Sequence, residues 1–185
     1  LQRSRLTLDT DNLARFLQAN GAPEVESVSP DLSFAGLGKT TISLTMRRPA
    51  VNWRSGSTQL FVDTHGIAFA KNFYDTPGVE VVDETGIQAQ NNRVLASNRF
   101  LGFIGRIVGR LEDQGYTVTK VVLPASTTRQ LQLSLQNVPY MVKVSVDRPA
   151  GAQAEDTARS IRYLSSRGMT PQYLDVRVEG RVFYQ

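Results

Sequence analysis

The sequence has no cysteine, one histidine and one tryptophan in 185 residues. The missing cysteine excludes disulfides, zinc–thiolate sites and thiol catalysis. The single histidine, His65, has no second histidine to share a metal or serve a nucleophile. No apolar run reaches the length of a membrane span. The opening residues Leu1-Gln2-Arg3-Ser4-Arg5 do not lead into the apolar core of a signal peptide. The chain starts at leucine, and we read it as a piece of a longer protein whose targeting segment lies upstream. No G-x-S-x-G or other nucleophile setting occurs. There is no internal repeat and no low-complexity segment.

Hydrophobic residues make up 41% of the chain, enough for one full domain plus a small one or for a single larger domain. The net charge is +4 and the pI about 9.6. The excess is arginine, scattered along the chain, which fits a solvated surface with weak attraction to anionic lipid or cell-wall polymer. Nucleic acid is less favoured without a basic run.

The stretch Gly36-Leu37-Gly38-Lys39-Thr40 resembles the end of a phosphate-binding loop. That loop needs a glycine where Ser33 stands and a helix starting at the Lys-Thr. The next residues, Thr41-Ile42-Ser43-Leu44-Thr45-Met46, alternate with period two and predict a half-buried strand with Ile42, Leu44 and Met46 inside. The Gly-Lys-Thr is therefore read as a turn feeding a strand, with Lys39 solvated.

Capping at Thr10-Asp11 predicts a first helix with Leu13, Phe16 and Leu17 on its buried face, ended by Gly21 and Pro23. Strands are expected at 25–34 and 40–47. A second unit begins near Trp53, with a hairpin of Gln59–Asp63 and Ile67–Ala70 around His65 and a short strand at 79–82. From Ser97, Phe100, Leu101, Ile104, Ile107, Val108 and Leu111 recur at helical spacing up to Gly115. Gly102, Gly105 and Gly109 would let that helix sit close to a sheet. This apolar stripe is read as core-facing, not as a docking face for a partner helix. Strands are expected next at 118–123, 130–136 and 140–146. A helix is expected at 153–167, with Glu155 and Asp156 at its positive end and Ala154, Ala158, Ile161 and Leu164 as its stripe. The chain closes on one long strand, Tyr173 to Tyr184, with apolar even and charged odd positions. These parts predict an α+β fold: a mostly antiparallel sheet packed on one side by two helices, its other face wet.

Three segments, in order, carry a family resemblance. Arg47-Arg48-Pro49-Ala50-Val51-Asn52-Trp53 matches an E/R-R-x-P-x-A-x-W stretch. Val62-Asp63-Thr64-His65-Gly66 matches V-D-x-x-G, and Tyr173-Leu174-Asp175-Val176-Arg177 matches Y-I-D-L-R. The chain thus resembles, over residues 10–184, the extracytoplasmic part of the bacterial cell-division protein family FtsQ, called DivIB in Gram-positive bacteria. The resemblance implies a partial POTRA domain at 1–52, its first strand and helix absent or only partly present, and a β domain at 53–185. It places the tip of the POTRA hairpin at Ala35–Lys39. It implies a bitopic divisome scaffold at the septal cell membrane, held by a transmembrane helix that this chain does not contain. The partners implied are the coiled-coil proteins FtsB (or DivIC) and FtsL. No enzyme activity, cofactor or nucleic acid is expected.

The partner site is expected on the last strand: Tyr173, Asp175, Arg177, Val178, Glu179, Gly180, Arg181, Val182, Phe183 and Tyr184. An edge strand invites a strand from another chain. Arg177, from the family's Asp-x-Arg, is expected to pair with a partner carboxylate, the alternative being an exposed strand residue paired with Asp175 or Glu179. Gly180 is expected to admit the partner backbone or mark a bulge. Other candidates have plainer readings. His65 beside Asp63 is read as an exposed turn residue, and Asp83 and Glu84 as turn carboxylates. His65-Gly66-Ile67-Ala68-Phe69-Ala70 resembles an RNA-recognition strand, but Ile67 stands where a stacking aromatic is needed. An RNA-binding α+β domain is the alternative reading.

Overall fold

The computed structural model describes residues 9–31, 41–86, 98–125, 127 and 129–185. The Gly36–Thr40 stretch, the expected hairpin tip at 35–39 and the expected Ser97 cap lie outside the described residues.

Among the described residues, the first unit is a helix and two strands. Helix α1 (Thr10–Ala19) is capped one residue earlier than expected, by Asp9, whose carboxylate accepts the Asn12 N–H at 2.9 Å. Strands β1 (Val25–Asp31) and β2 (Thr41–Met46) form a two-stranded antiparallel sheet. Ala14, Val25 and Val28 are its buried core, flanked by Leu13, Leu17 and Met46. Phe16, expected inside, is exposed. So are Ile42 at 39% and Leu44 at 50%. The register pairs Leu44 with Val28 and Ile42 with Pro30, so all four share one face. Helix α1 lies over β1 and leaves β2 uncovered. Period two identified the strand correctly but not what covers it.

The second unit holds a nine-stranded sheet. Its first members are β3 (Val51–Ser55), β4 (Thr58–Val62), β5 (Ala68–Phe69) and β6 (Glu80–Asp83). Helix α2 (Asn98–Asp113) leads to β7 (Val118–Leu123), β8 (Gln130–Leu135) and β9 (Met141–Ser145). Helix α3 (Ala150–Ser166) leads to β10 (Tyr173–Asp175) and β11 (Phe183–Tyr184). The spatial order is β11-β10-β9-β8-β7-β6-β3-β4-β5. The class is α+β, but the sheet is mixed. The pairs β3–β6, β6–β7 and β9–β10 are parallel and the others antiparallel. The two helices account for two of these pairs: α2 crosses over from β6 to β7 and α3 from β9 to β10, and a crossover returns the chain in the same direction, whereas β3 and β6 are joined through β4 and β5. Strand β3 escaped the sequence reading, although Val51 and Trp53 alternate and Gly56, at φ 57°, turns the chain into β4.

Register concentrates the core in one row. Trp53, Val81, Val121, Leu133, Val142 and Leu174 are successive cross-strand partners, and all are buried. Over this face lie Ile104, Ile107 and Leu111 of α2 and Ala154, Ala158, Ile161 and Leu164 of α3, all buried as expected. The two helices pack against each other. On the opposite face, Arg54, Glu80, Lys120, Gln132 and Lys143 meet water. There Glu80 bonds Arg54 at 2.9 Å and stands 3.8 Å from Lys120.

Two expectations about the helices are corrected. The α2 glycines are not sites of close approach, because a Cβ at Gly105 or Gly109 would meet nothing within 4 Å. Gly102 and Gly105 instead line an apolar cleft of about 220 Å³ with Val51, Val79 and Val108. Helix α3 starts at Ala150, so Glu155 and Asp156 fall in its second turn, beyond the reach of its terminal partial charge. Asp156 pairs with Arg148 at 3.2 Å instead. The early start is set by buried Gln153, whose amide accepts the Ser145 N–H at 2.7 Å and donates to the Ser145 carbonyl at 2.8 Å. Among the described residues, no helix is long and apolar enough to cross a membrane.

Ile161 touches the core and Leu44 does not, so truncating them should differ sharply. Urea melts should show Ile161→Ala losing roughly 2–5 kcal/mol. Leu44→Ala should stay within about 0.5 kcal/mol. Equal losses would show that the wrong faces have been assigned.

Candidate functional site

The expected partner strand, Tyr173 to Tyr184, is a hairpin. Strand β10 stops at Asp175, a turn occupies 178–181, and β11 returns antiparallel, pairing Leu174 with Tyr184 and Asp175 with Phe183. Two local features break the long strand. The Asp175 carboxylate accepts the Arg177 N–H at 3.1 Å, which bends the chain in an Asx turn. Gly180 then adopts φ 67°, and Arg181 N–H closes the turn on the Val178 carbonyl at 3.3 Å. Gly180 is thus a turn glycine, neither a bulge nor a site of backbone approach. Glu179 and Arg181 sit at the turn instead of forming a charged strand face with Arg177. Val178 is exposed, and Val182 packs on the core margin.

Asp175 and Arg177 form a closed pair. The guanidinium reaches both carboxylate oxygens, through Nε at 2.9 Å and Nη2 at 2.6 Å, and a further N–H bonds Gln130. Burial alone would raise the Asp175 pKa. Hydrogen bonds from the Arg177 side chain and backbone outweigh it and hold the carboxyl below its ordinary value. Arg177, expected to seek a partner carboxylate, already has an internal one. Tyr173, half-buried, has the Lys143 ammonium 3.5 Å from its ring centroid, and its hydroxyl bonds Gln185 at 3.3 Å.

What the hairpin leaves open is its outer side. Strand β11 is the edge of the sheet, so among the described residues one row of its backbone groups has no strand to pair with. Its two aromatic residues point to opposite faces and both are exposed: Phe183 at 49% on the wet face and Tyr184 at 45% on the helix face. Tyr184 extends the buried row past Leu174, beyond the cover of α3. There it lines a shallow apolar cleft of about 300 Å³ with Val182, Leu164, Tyr163, Ser160 and Arg159. The Arg167 guanidinium lies over the Tyr163 ring at 4.9 Å. Among the described residues, no carboxylate ion-pairs with Arg159, Arg162 or Arg181. The cleft thus has an apolar floor with Arg159 in its lining and Arg167 over one of its rings. The sequence reading missed its α3 half. The available signal was Tyr163, an aromatic outside the buried stripe, four residues after Arg159 on the same helix face.

The remaining candidates have structural roles. His65 is exposed, with Nδ1 3.8 Å from Asp63. Asp83 is buried and accepts the Thr85 N–H at 2.9 Å and its hydroxyl at 2.6 Å, a turn carboxylate as expected. Phe69 of the RNA-like segment is buried and presents no ring for stacking. Among the described residues, no three His, Asp or Glu side chains converge to hold a metal. No protein-family model matches the chain, and no curated protein is significantly similar to it.

The Asp175–Arg177 pair makes a pH prediction. The folded pKa of Asp175 lies below its unfolded value, so its stabilisation is present above the unfolded value of about 3.9 and is lost as pH falls through the folded one. Arg177→Gln should lower the thermal midpoint at pH 7. The gap from wild type should narrow as pH falls below about 4. A gap that stays constant across that range would refute the pair's role.

Proposed function

We propose that this chain is the extracytoplasmic part of a bitopic divisome scaffold of the FtsQ/DivIB type. In this reading residues 1–52 are the partial POTRA domain and 53–185 the β domain. The scaffold binds FtsB/DivIC-like and FtsL-like membrane proteins at the septum and couples them to peptidoglycan synthesis. The support is twofold. First, the three family-like segments occur in the family's order, and two of them are bonded to each other, Arg47 of the first to Asp63 of the second at 2.8 Å.

The second support, and the observation that carries the reading, is the edge position of β11 beside a cleft with an apolar floor and Arg159 in its lining. An added strand would gain main-chain bonds along β11, while side chains at alternate positions reach the cleft. The fitting partner is an acidic segment with an apolar anchor, just beyond the coiled coil of the FtsB/DivIC-like protein. Arg181 and Arg159 take over the selecting role that the sequence assigned to Arg177.

Calorimetry with the extracytoplasmic fragment of that partner tests this. Arg181→Glu and Tyr184→Ala should each weaken binding more than tenfold, about 1.4 kcal/mol. Gln59→Ala, near the opposite end of the sheet, should leave binding unchanged. Full affinity in both edge variants, each shown to be folded, would remove this edge from the interface.

A further inference from the structure

The seam between the two units is built around one side chain. The Arg47 N–H donates to the Glu24 carbonyl at 2.8 Å, and its Nε to the Pro23 carbonyl at 2.9 Å. Its Nη1 then reaches across to Asp63 at 2.8 Å, just after β4 of the large sheet. The side chains of Arg47 and Asp63 are only 12% and 7% exposed. Three lesser contacts surround them. Lys71 stands 3.5 Å from the buried Glu24, the Tyr74 hydroxyl donates to the Met46 carbonyl at 2.9 Å, and the Arg48 guanidinium lies 4.7 Å from the Tyr74 ring centroid.

The Asp63 end is fixed independently of Arg47. Its Oδ1 accepts the N–H groups of His65 at 2.8 Å and Ile67 at 2.9 Å, which shape the turn into β5. Oδ2 is left aimed at the seam. Arg47 therefore meets a carboxylate that is already oriented, and little ordering is lost when the pair forms. With both partners buried, removing either leaves a charge without compensation.

Among the described residues, the buried apolar core of the small unit is Ala14, Val25 and Val28, against a far larger cluster in the main sheet. A two-stranded sheet with a single helix is marginal by itself. We propose that Arg47 is a latch: the order of the α1–β1–β2 unit depends on its bonds to Asp63, Pro23 and Glu24, and the large sheet is indifferent to them. The chain then holds two regions of separate stability, and one ion pair controls whether the smaller is folded. This stands apart from the divisome reading and from the β11 edge.

Hydrogen exchange on the full chain, read segment by segment, tests the latch. In Arg47→Ala, amides of α1 and β1 should lose about tenfold or more of their protection, with those of β8 and β9 unchanged. Asp63→Asn should give the same local loss, since it keeps an acceptor for the turn and removes the charge facing Arg47. Tyr74→Phe deletes one seam bond and leaves the buried charges paired, so it should show a smaller loss in the same segments. Unchanged protection of α1 and β1 in Arg47→Ala would overturn the proposal. So would an equal loss in β8 and β9 in any of the three variants, because the chain would then open as one unit.

Discussion

The large unit depends on one row of side chains. Trp53, Val81, Val121, Leu133, Val142 and Leu174 stand opposite one another from β3 to β10, and α2 and α3 cover them. A slip of one residue in any strand would turn its apolar set to the wet face, so burial of this row fixes the register of the sheet. It also fixes where the sheet stops being covered. The next member, Tyr184, passes the rim of α3 and is left half in water. The open edge and its cleft are thus the end of the core, not an addition to it.

Much of this was legible in the sequence where one physical rule decided the outcome. The 118–123 strand, the Ile161 stripe and the stop at Gly115 come from periodicity and glycine conformation, and they agree with the structure. The misses share a cause: a local signal that tertiary or side-chain bonding overrode. The alternation from Tyr173 to Tyr184 continues through a turn, because Asp175 bends the backbone at Arg177 and Gly180 reverses it. Glu155 and Asp156 were assigned to a helix start that buried Gln153 and Pro149 moved back to Ala150. Ile42 and Leu44 carry a strand's pattern with no helix over them. Which strands run parallel depends on connections between elements, the two helical crossovers and the β4–β5 excursion between β3 and β6, and no single segment encodes that.

The candidate site was half visible. Its β11 side lay within the expected residues, whereas Arg159, Ser160 and Tyr163 come from a helix read only for its buried face. Arg177 shows how a motif residue can mislead. The family motif suggests a charge offered to a partner, but the alternative holds: Arg177 folds back on the Asp175 carboxylate. Arg159 and Arg162 on α3 and Arg181 at the turn have no carboxylate partner among the described residues, and in the proposed interface they would favour acidic segments.

The most direct test of the proposed strand addition at β11 is residue-resolved amide exchange of the full chain with and without the extracytoplasmic fragment of the proposed FtsB/DivIC-like partner. Successive amides of a strand point to opposite edges, so one of Phe183 and Tyr184 donates outward. The account predicts that this amide gains protection on binding, while the opposite sheet edge at Ala68 and Phe69 does not change. Tight binding that leaves both β11 amides as exchangeable as before would contradict it.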